Sequence, residues 1–156
     1  MSRPQDAPLP PQDVPSYTRF RAPVQGAAVA VGALFLGVGV LGFVPGVTTD
    51  YAAMDFAGHS AAMLFGVFAV SVLHNLVHLA FGIAGLALSR TSRTARGFLL
   101  GGGLIYLVLF LYGLLVGESS PANFVPVNAA DNWLHLGLAA VMIGLGVLLG
   151  GRTARR

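Results

Sequence analysis

Two stretches of the chain repeat one pattern, "VSVLHNLVHL" at residues 70–79 and "VNAADNWLHL" at residues 127–136. After a shared valine, both place a residue suited to cap a helix, two apolar or small residues, a polar residue, Asn, two apolar residues, His and Leu. At about 100° per residue, the polar positions of each copy fall on one face of a helix. Because an apolar run follows each copy, the pattern predicts two related helices that begin with a polar face.

The composition of the whole chain indicates a membrane protein. Hydrophobic residues make up 55% of the 156 residues and charged residues only 10%, and the mean hydropathy is +0.75. A soluble domain carries about a quarter charged residues, so too few charges remain here to cover a water-facing surface. Cysteine is absent, which excludes disulfides and thiolate chemistry. The net charge of +3 comes from short arginine clusters and not from a broad basic face, which argues against nucleic-acid binding.

Four apolar segments are predicted to cross the membrane as helices. About 20 apolar residues are needed to span a hydrocarbon core about 30 Å thick. Ser71 and Asn128 are the predicted caps of the second and fourth helices, since their side chains can accept from open backbone amides. The four predicted spans are residues 24–44, 72–88, 98–117 and 129–149.

The rest of the chain is predicted to form tails and connections. Residues 1–23 are rich in proline and should be a disordered cytoplasmic tail. Residues 51–70 carry many Ala, Met and Phe residues, and they are expected in the outer membrane interface or over the end of the helices. Residues 151–156 form a basic cytoplasmic tail. The membrane domain therefore covers residues 24–150.

The positions of the arginines predict the orientation of the chain. Arginines precede the first predicted span, lie between the second and third spans, and follow the fourth. The connections between the first and second spans and between the third and fourth spans carry acidic residues and no arginine. Basic loops stay on the cytoplasmic side of a membrane, so both termini are predicted to be cytoplasmic. The arginines on this side are Arg19, Arg21, Arg90, Arg93, Arg96, Arg152, Arg155 and Arg156.

The repeat predicts an all-α fold, a four-helix transmembrane bundle made of two helix hairpins. Such parallel repeats are related by an axis along the membrane normal. Polar groups that face lipid cost free energy, so the polar faces of the second and fourth helices should point inward and meet. Asn75 and His78 would then hydrogen-bond to Asn132 and His135, and Asp131 would accept from a histidine ring nitrogen.

The first interpretation of this cluster is structural. Polar side chains in membrane helices commonly join helices, and each such bond contributes roughly 0.6–2 kcal/mol. The protein would then be non-enzymatic, with a structural or partner-binding role and no cofactor. Its expected partners are the lipid bilayer and either a second copy of the chain or another membrane protein.

The second interpretation is a ligand site, because ionisable groups inside a membrane commonly serve a function. His74 and His78 are four residues apart on one helix face, as metal-binding pairs often are, although no carboxylate-rich shell accompanies them. A b-type haem held by His78 and His135 is geometrically conceivable. A quinone, lipid or ion path, or a small-solute carrier, completes the alternatives.

Three stretches of the chain resemble the actinobacterial membrane proteins catalogued as domain of unknown function 4383. They read "GFVPGVTTDYAAMDFAGHSAAMLFGVF" at residues 42–68, "VLHNLVHLAFGIAGL" at residues 72–86 and "NAADNWLHLGLA" at residues 128–139. The resemblance covers about residues 24–150, and its most specific part is the pair of Asn-x-x-His motifs. It implies a small four-span protein of the plasma membrane in a high-GC Gram-positive bacterium. It implies no catalytic residue.

Overall fold

The fold is all-α, as predicted, with four main helices. A computed structural model describes residues 22–58, 60–116, 120, 122–123 and 126–150. The helices are α1 (Pro23–Leu41), α2 (Val72–Leu88), α3 (Ser92–Leu115) and α4 (Ala129–Gly150). Nearly all of the predicted proline-rich tail and the whole of the predicted basic tail lie outside the described residues.

Helix length and composition are those of a membrane protein. α1, α3 and α4 are each long and apolar enough to cross a membrane. α2 is also apolar but has only 17 residues. At about 1.5 Å per residue it is roughly 26 Å long, slightly less than a hydrocarbon core of about 30 Å.

Both predicted helix caps are confirmed. Ser71 Oγ accepts a hydrogen bond from the backbone N of His74 at 3.2 Å, which satisfies an open amide in the first turn of α2. At the start of α4, Asn128 Oδ1 accepts from the backbone N of Asp131 at 3.0 Å. Asp131 Oδ2 accepts in return from the backbone N of Asn128, also at 3.0 Å. This reciprocal pair is a capping box, and it fixes where the fourth helix begins.

Two helix boundaries differ from the predicted spans by three residues or more. α1 ends at Leu41, three residues early, because Pro45 disfavours helical backbone in the residue before it and cannot donate to a continued helix. α3 begins at Ser92, six residues before the predicted span. The reason is a cap that was not recognised in the sequence, since Thr91 Oγ1 accepts from the backbone N of Thr94 at 3.2 Å.

The four helices pack as two hairpins, α1 on α2 and α3 on α4. Small residues allow the backbones to approach closely in each hairpin. A Cβ added at Gly32 would lie 3.0 Å from the carbonyl oxygen of Gly82, and one added at Gly103 would lie 3.1 Å from that of Ala139. Gly103 follows Gly32 by 71 positions, and Ala139 follows Gly82 by 57. The same contact therefore recurs in both hairpins, which agrees with the predicted repeat.

Between α1 and α2 the described residues 43–58 and 60–70 fold into a small cap. It contains β1 (Thr48–Thr49), β2 (Met63–Leu64) and β3 (Phe68–Ala69), which pair antiparallel in this order, and one 3-10 turn at Tyr51–Ala53. Buried Ala62, Leu64 and Val70 pack against Val38 and Leu41 of α1. The cap covers one end of the hairpins, called the cap end below. None of these strands was predicted from the sequence.

The arginines of the described residues lie at the opposite end, called the arginine end. They are Arg90, Arg93 and Arg96. Gln25 Nε2, at the start of α1, donates to the carbonyl oxygen of Arg90 at 2.8 Å. Arg96 Nε donates to the carbonyl oxygen of Gly146, near the end of α4, at 3.2 Å. The first turn of α1 and the last turns of α4 therefore lie beside the basic connection.

Candidate functional site

Three histidines of the predicted cluster line one cavity beneath the cap. His74 and His78 come from α2, and His135 comes from α4. The ring centroids of His74 and His78 are 4.5 Å apart. The volume of the cavity is about 70 Å³. Because each water molecule takes about 30 Å³, this is room for two or three small groups.

The imidazoles are buried and face the interior of the protein. His74 is 5% exposed and His135 is 4% exposed, while His78 is partly buried. Residues three, four or seven positions apart share a helix face. Ser71 therefore lies on the same face of α2 as His74 and His78, and Asn128 lies on the same face of α4 as His135. Asp131 also lines the cavity. The remaining wall is apolar and is formed by Val38, Leu64, Phe65, Phe68, Val70, Leu134 and Leu138.

One ring nitrogen of each histidine lacks a hydrogen-bond partner within the part of the chain that the structure describes. These atoms are Nδ1 of His74, His78 and His135, and all three are buried. A neutral imidazole has one donor nitrogen and one acceptor nitrogen. Each buried polar atom left unpaired costs about 1–3 kcal/mol. The cavity is therefore lined by side chains with unused capacity for hydrogen bonds.

The two asparagines do not pair with each other, which corrects the prediction. Asn75 packs against Gly42 at the end of α1, and Asn132 packs against Gly113 near the end of α3. A Cβ at either glycine would overlap the asparagine amide. Neither Oδ1 accepts a hydrogen bond from another described residue, and Asn75 Nδ2 donates to the Met54 sulfur at 3.8 Å. A short amide side chain reaches the adjacent helix of its own hairpin, and not the other hairpin.

Asp131 ties the cap to the second hairpin. Its Oδ2 accepts from the backbone N of Ala69 in β3 at 2.9 Å, besides the bond to the backbone N of Asn128. Asn128 Nδ2 also donates to the carbonyl oxygen of Val67 at 2.8 Å. None of the three Nδ1 atoms donates to this carboxylate, and a bond from another histidine ring nitrogen stays a prediction. Oδ2 serves two backbone amides, which must be satisfied in a dry interior.

An aromatic layer packs against two of the cavity histidines on the side of the arginine end. Phe35 of α1 stacks on Tyr106 of α3, with ring centroids 5.4 Å apart and planes 16° apart. Phe35 also contacts the ring of His78 at 5.6 Å, and Tyr106 contacts that of His135 at 5.3 Å. The ring of Phe81 packs against both, with its centroid 5.0 Å from that of Phe35 and 5.7 Å from that of Tyr106. Tyr106 follows Phe35 by 71 positions, so the stack lies on the approximate two-fold axis between the hairpins.

Residues 25–148 match the family model described as Domain of unknown function (DUF4383). The chain belongs to this family. The matched residues include nearly all of the four helices and the whole cap, in agreement with the resemblance seen in the sequence. No curated protein and no solved structure matches the chain. The role of this DUF4383 protein must therefore be argued from its own site.

The cavity of the DUF4383 protein does not fit a large cofactor. No group of three or more His, Asp or Glu side chains among the described residues is arranged to hold a metal ion. Sites for drug-sized ligands have volumes of about 300–1,000 Å³, several times the 70 Å³ found here. A b-type haem between His78 and His135 would also displace the Phe35–Tyr106 stack that contacts both rings. The arrangement suits a small hydrogen-bonding group instead.

Proposed function

We propose that this DUF4383 protein is a non-enzymatic integral protein of the plasma membrane with a structural or partner-binding role. It crosses the membrane four times, and both termini lie in the cytoplasm. The observation that carries the proposal is the repeated contact of Asn75 with Gly42 and of Asn132 with Gly113. Both asparagines of the motif are used for packing within a hairpin, and neither is presented to a substrate.

The capping and tethering bonds support the same role. Ser71 satisfies an amide of α2, and Asp131 satisfies amides of α4 and of the cap at once. Hydrocarbon offers no solvent to unpaired backbone groups, so such bonds stabilise helix ends and the segment that covers them. The polar residues of the motif thereby close the first turn of α2 and join α4 to the cap.

The orientation rests on the charge distribution. The described arginines gather at the arginine end, beside the start of α1 and the last turns of α4. Described residues of the cap include Asp50 and Asp55 and no arginine. Basic segments are retained in the cytoplasm during insertion, so the cap end faces the outside of the cell.

Spectroscopy and elemental analysis of the detergent-purified protein test the non-enzymatic role. We expect flat visible absorbance and no stoichiometric metal. In parallel, Asn75→Ala should lower the free energy of unfolding by about 1–3 kcal/mol, because a fully buried side chain leaves a gap beside a glycine. Leu76→Ala, on the exposed face of the same helix, is the matched control and should change stability less. A Soret band or one equivalent of metal would overturn the proposal.

The unpaired imidazole nitrogens favour a second candidate, a membrane protein that binds a small ligand, as a small-solute carrier does. The aromatic layer of Phe35, Phe81 and Tyr106 lies between the cavity and the arginine end. This layer supports binding in a closed pocket over passage through the protein. Reconstituted vesicles should show no solute flux beyond that of empty vesicles, and a clear flux would favour a carrier.

A further inference from the structure

We propose that the cavity binds the hydroxyl head of a membrane-soluble amphiphile, held by His74, His78 and His135. The inference deepens the partner-binding role proposed above and rests on it. The site is built by the protein interior, since two of the three imidazoles are at least 95% buried and all three leave a buried Nδ1 atom unpaired. Asp131 adds a carboxylate to the same wall.

The chemistry of the wall selects a hydroxyl group. The unpaired Nδ1 atom of a neutral imidazole donates or accepts according to the tautomer of the ring, whereas a carboxylate only accepts. A hydroxyl donates one hydrogen bond and accepts two, so one oxygen can serve nitrogens of either kind. A ketone cannot donate, and an ammonium group cannot accept. A charged head would also lose its hydration in a cavity whose wall is mainly apolar.

The volume limits how much of the ligand can enter. About 70 Å³ holds a hydroxyl group and one or two carbon atoms. The stacked rings of Phe35 and Tyr106 lie against the imidazoles of His78 and His135, which leaves no space for deeper insertion past these two histidines. The remainder of the ligand must therefore stay outside the cavity.

The outer wall indicates where that remainder lies. Phe65 of the cap and Leu134 of α4 both line the cavity, and they are 57% and 43% exposed. The wall is thus one side chain thick between the cap and α4. Both side chains are apolar, so an alkyl tail that leaves the cavity here enters lipid and not water.

Phe65 reaches the thin part of the wall because it lies in the tight turn between β2 and β3. Its φ of +55° is unusual for a bulky residue, and Gly66 beside it has a φ of +68°. A hydrogen bond from the backbone N of Phe65 to the carbonyl oxygen of Val47, at 2.9 Å, holds this conformation. Hairpin turns of this kind require a positive φ at both central residues. The turn places an aromatic ring at the thin part of the wall.

Thermal unfolding of the full chain in lipid nanodiscs tests the inference with 1-dodecanol as the probe. At ten times its dissociation constant, the alcohol should raise the Tm by about 3–6 °C. Dodecyl methyl ether, which has the same chain but no donor, and dodecane should each raise the Tm by less than about 1 °C at equal membrane concentration. His74→Leu and His135→Leu should lose the response to the alcohol. Leu148→Ala, on the exposed face of α4, should retain it.

Each outcome decides for or against the hydroxyl site. Equal shifts with alcohol, ether and alkane would overturn it, as would no shift with the alcohol, which would leave ordered water as the occupant. If the histidine variants do not fold, the comparison of alcohol with ether on the unaltered protein decides alone. If the alcohol test contradicts the hydroxyl site and the visible spectra are flat, the proposed function remains intact. A bound haem or metal overturns the proposed function whatever effect the alcohol has.

Discussion

The contact between Gly42 and Asn75 provides the sharpest test of how the motif packs. In Gly42→Ala the added Cβ would overlap the amide of Asn75, a side chain with 0% exposure. Gly42 has a φ of −59°, which alanine adopts without strain, so the cost is steric. Overpacking a filled interior costs about 1–3 kcal/mol. Alanine regains about 0.5–1 kcal/mol in helical backbone, which leaves a net loss of roughly 1–2 kcal/mol.

A double-mutant cycle separates this overlap from other effects. Asn75→Ala alone leaves a gap, and Gly42→Ala alone fills a space that is already occupied. In the double variant the new methyl group occupies part of the space that the amide leaves. The two losses should therefore not add, and the coupling energy should be about 1–2 kcal/mol. Gly37→Ala is the matched control on α1, because a Cβ there meets nothing within 4 Å.

Unfolding by SDS in mixed micelles, followed by circular dichroism at a fixed lipid concentration, gives the four free energies. Gly37→Ala should be neutral or stabilising by up to about 1 kcal/mol. If Gly42→Ala were as stable as Gly37→Ala, the contact between Gly42 and Asn75 would be wrong. Additivity of the two single variants within about 0.5 kcal/mol would contradict the contact as well.

Three further predictions concern the hairpins, the cap and the orientation. Gly32→Ala should lose about 1–3 kcal/mol in the same unfolding assay because its Cβ meets the backbone of α2, whereas Gly101→Ala faces open space and should lose nothing. Asp131→Ala should cost about 1–3 kcal/mol and speed amide hydrogen exchange in the cap, since two backbone amides lose their acceptor; unchanged exchange would contradict the tether. The chain has no cysteine, so an impermeant maleimide on intact cells should label Ala52→Cys and not Ser92→Cys; the reverse result would put the cap in the cytoplasm.

Local signals in the sequence were sufficient to place the starts of α2 and α4. The bounds of α2 agree with the predicted span, because Ser71 caps its start and the apolar run that follows is long. Asn128 likewise marks the start of α4. The strands of the cap were missed because each has only two residues, too few to show an alternating pattern. They form through contacts with α1 and α4, which no local pattern records.

The candidate site was predictable in part. Helical periodicity placed His74, His78 and His135 on inward faces, and the structure brings them to one cavity. Helical periodicity could not predict which residue each asparagine would contact, because that depends on the distance between helices. The stack of Phe35 on Tyr106 was also missed. Equivalent residues of α1 and α3 are 71 positions apart, whereas those of α2 and α4 are 57 positions apart. The two separations differ because the cap makes the connection in the first hairpin longer.

The position of the Phe35–Tyr106 stack bears on how the polypeptide is assembled. Each ring contacts a histidine of its own hairpin and the equivalent ring of the other hairpin. The contact surface between the two hairpins, called the seam here, therefore resembles an interface between two subunits. Such a seam does not depend on the peptide link between α2 and α3. Two fragments divided at that link, and inserted separately into one bilayer, retain the surfaces required to find each other.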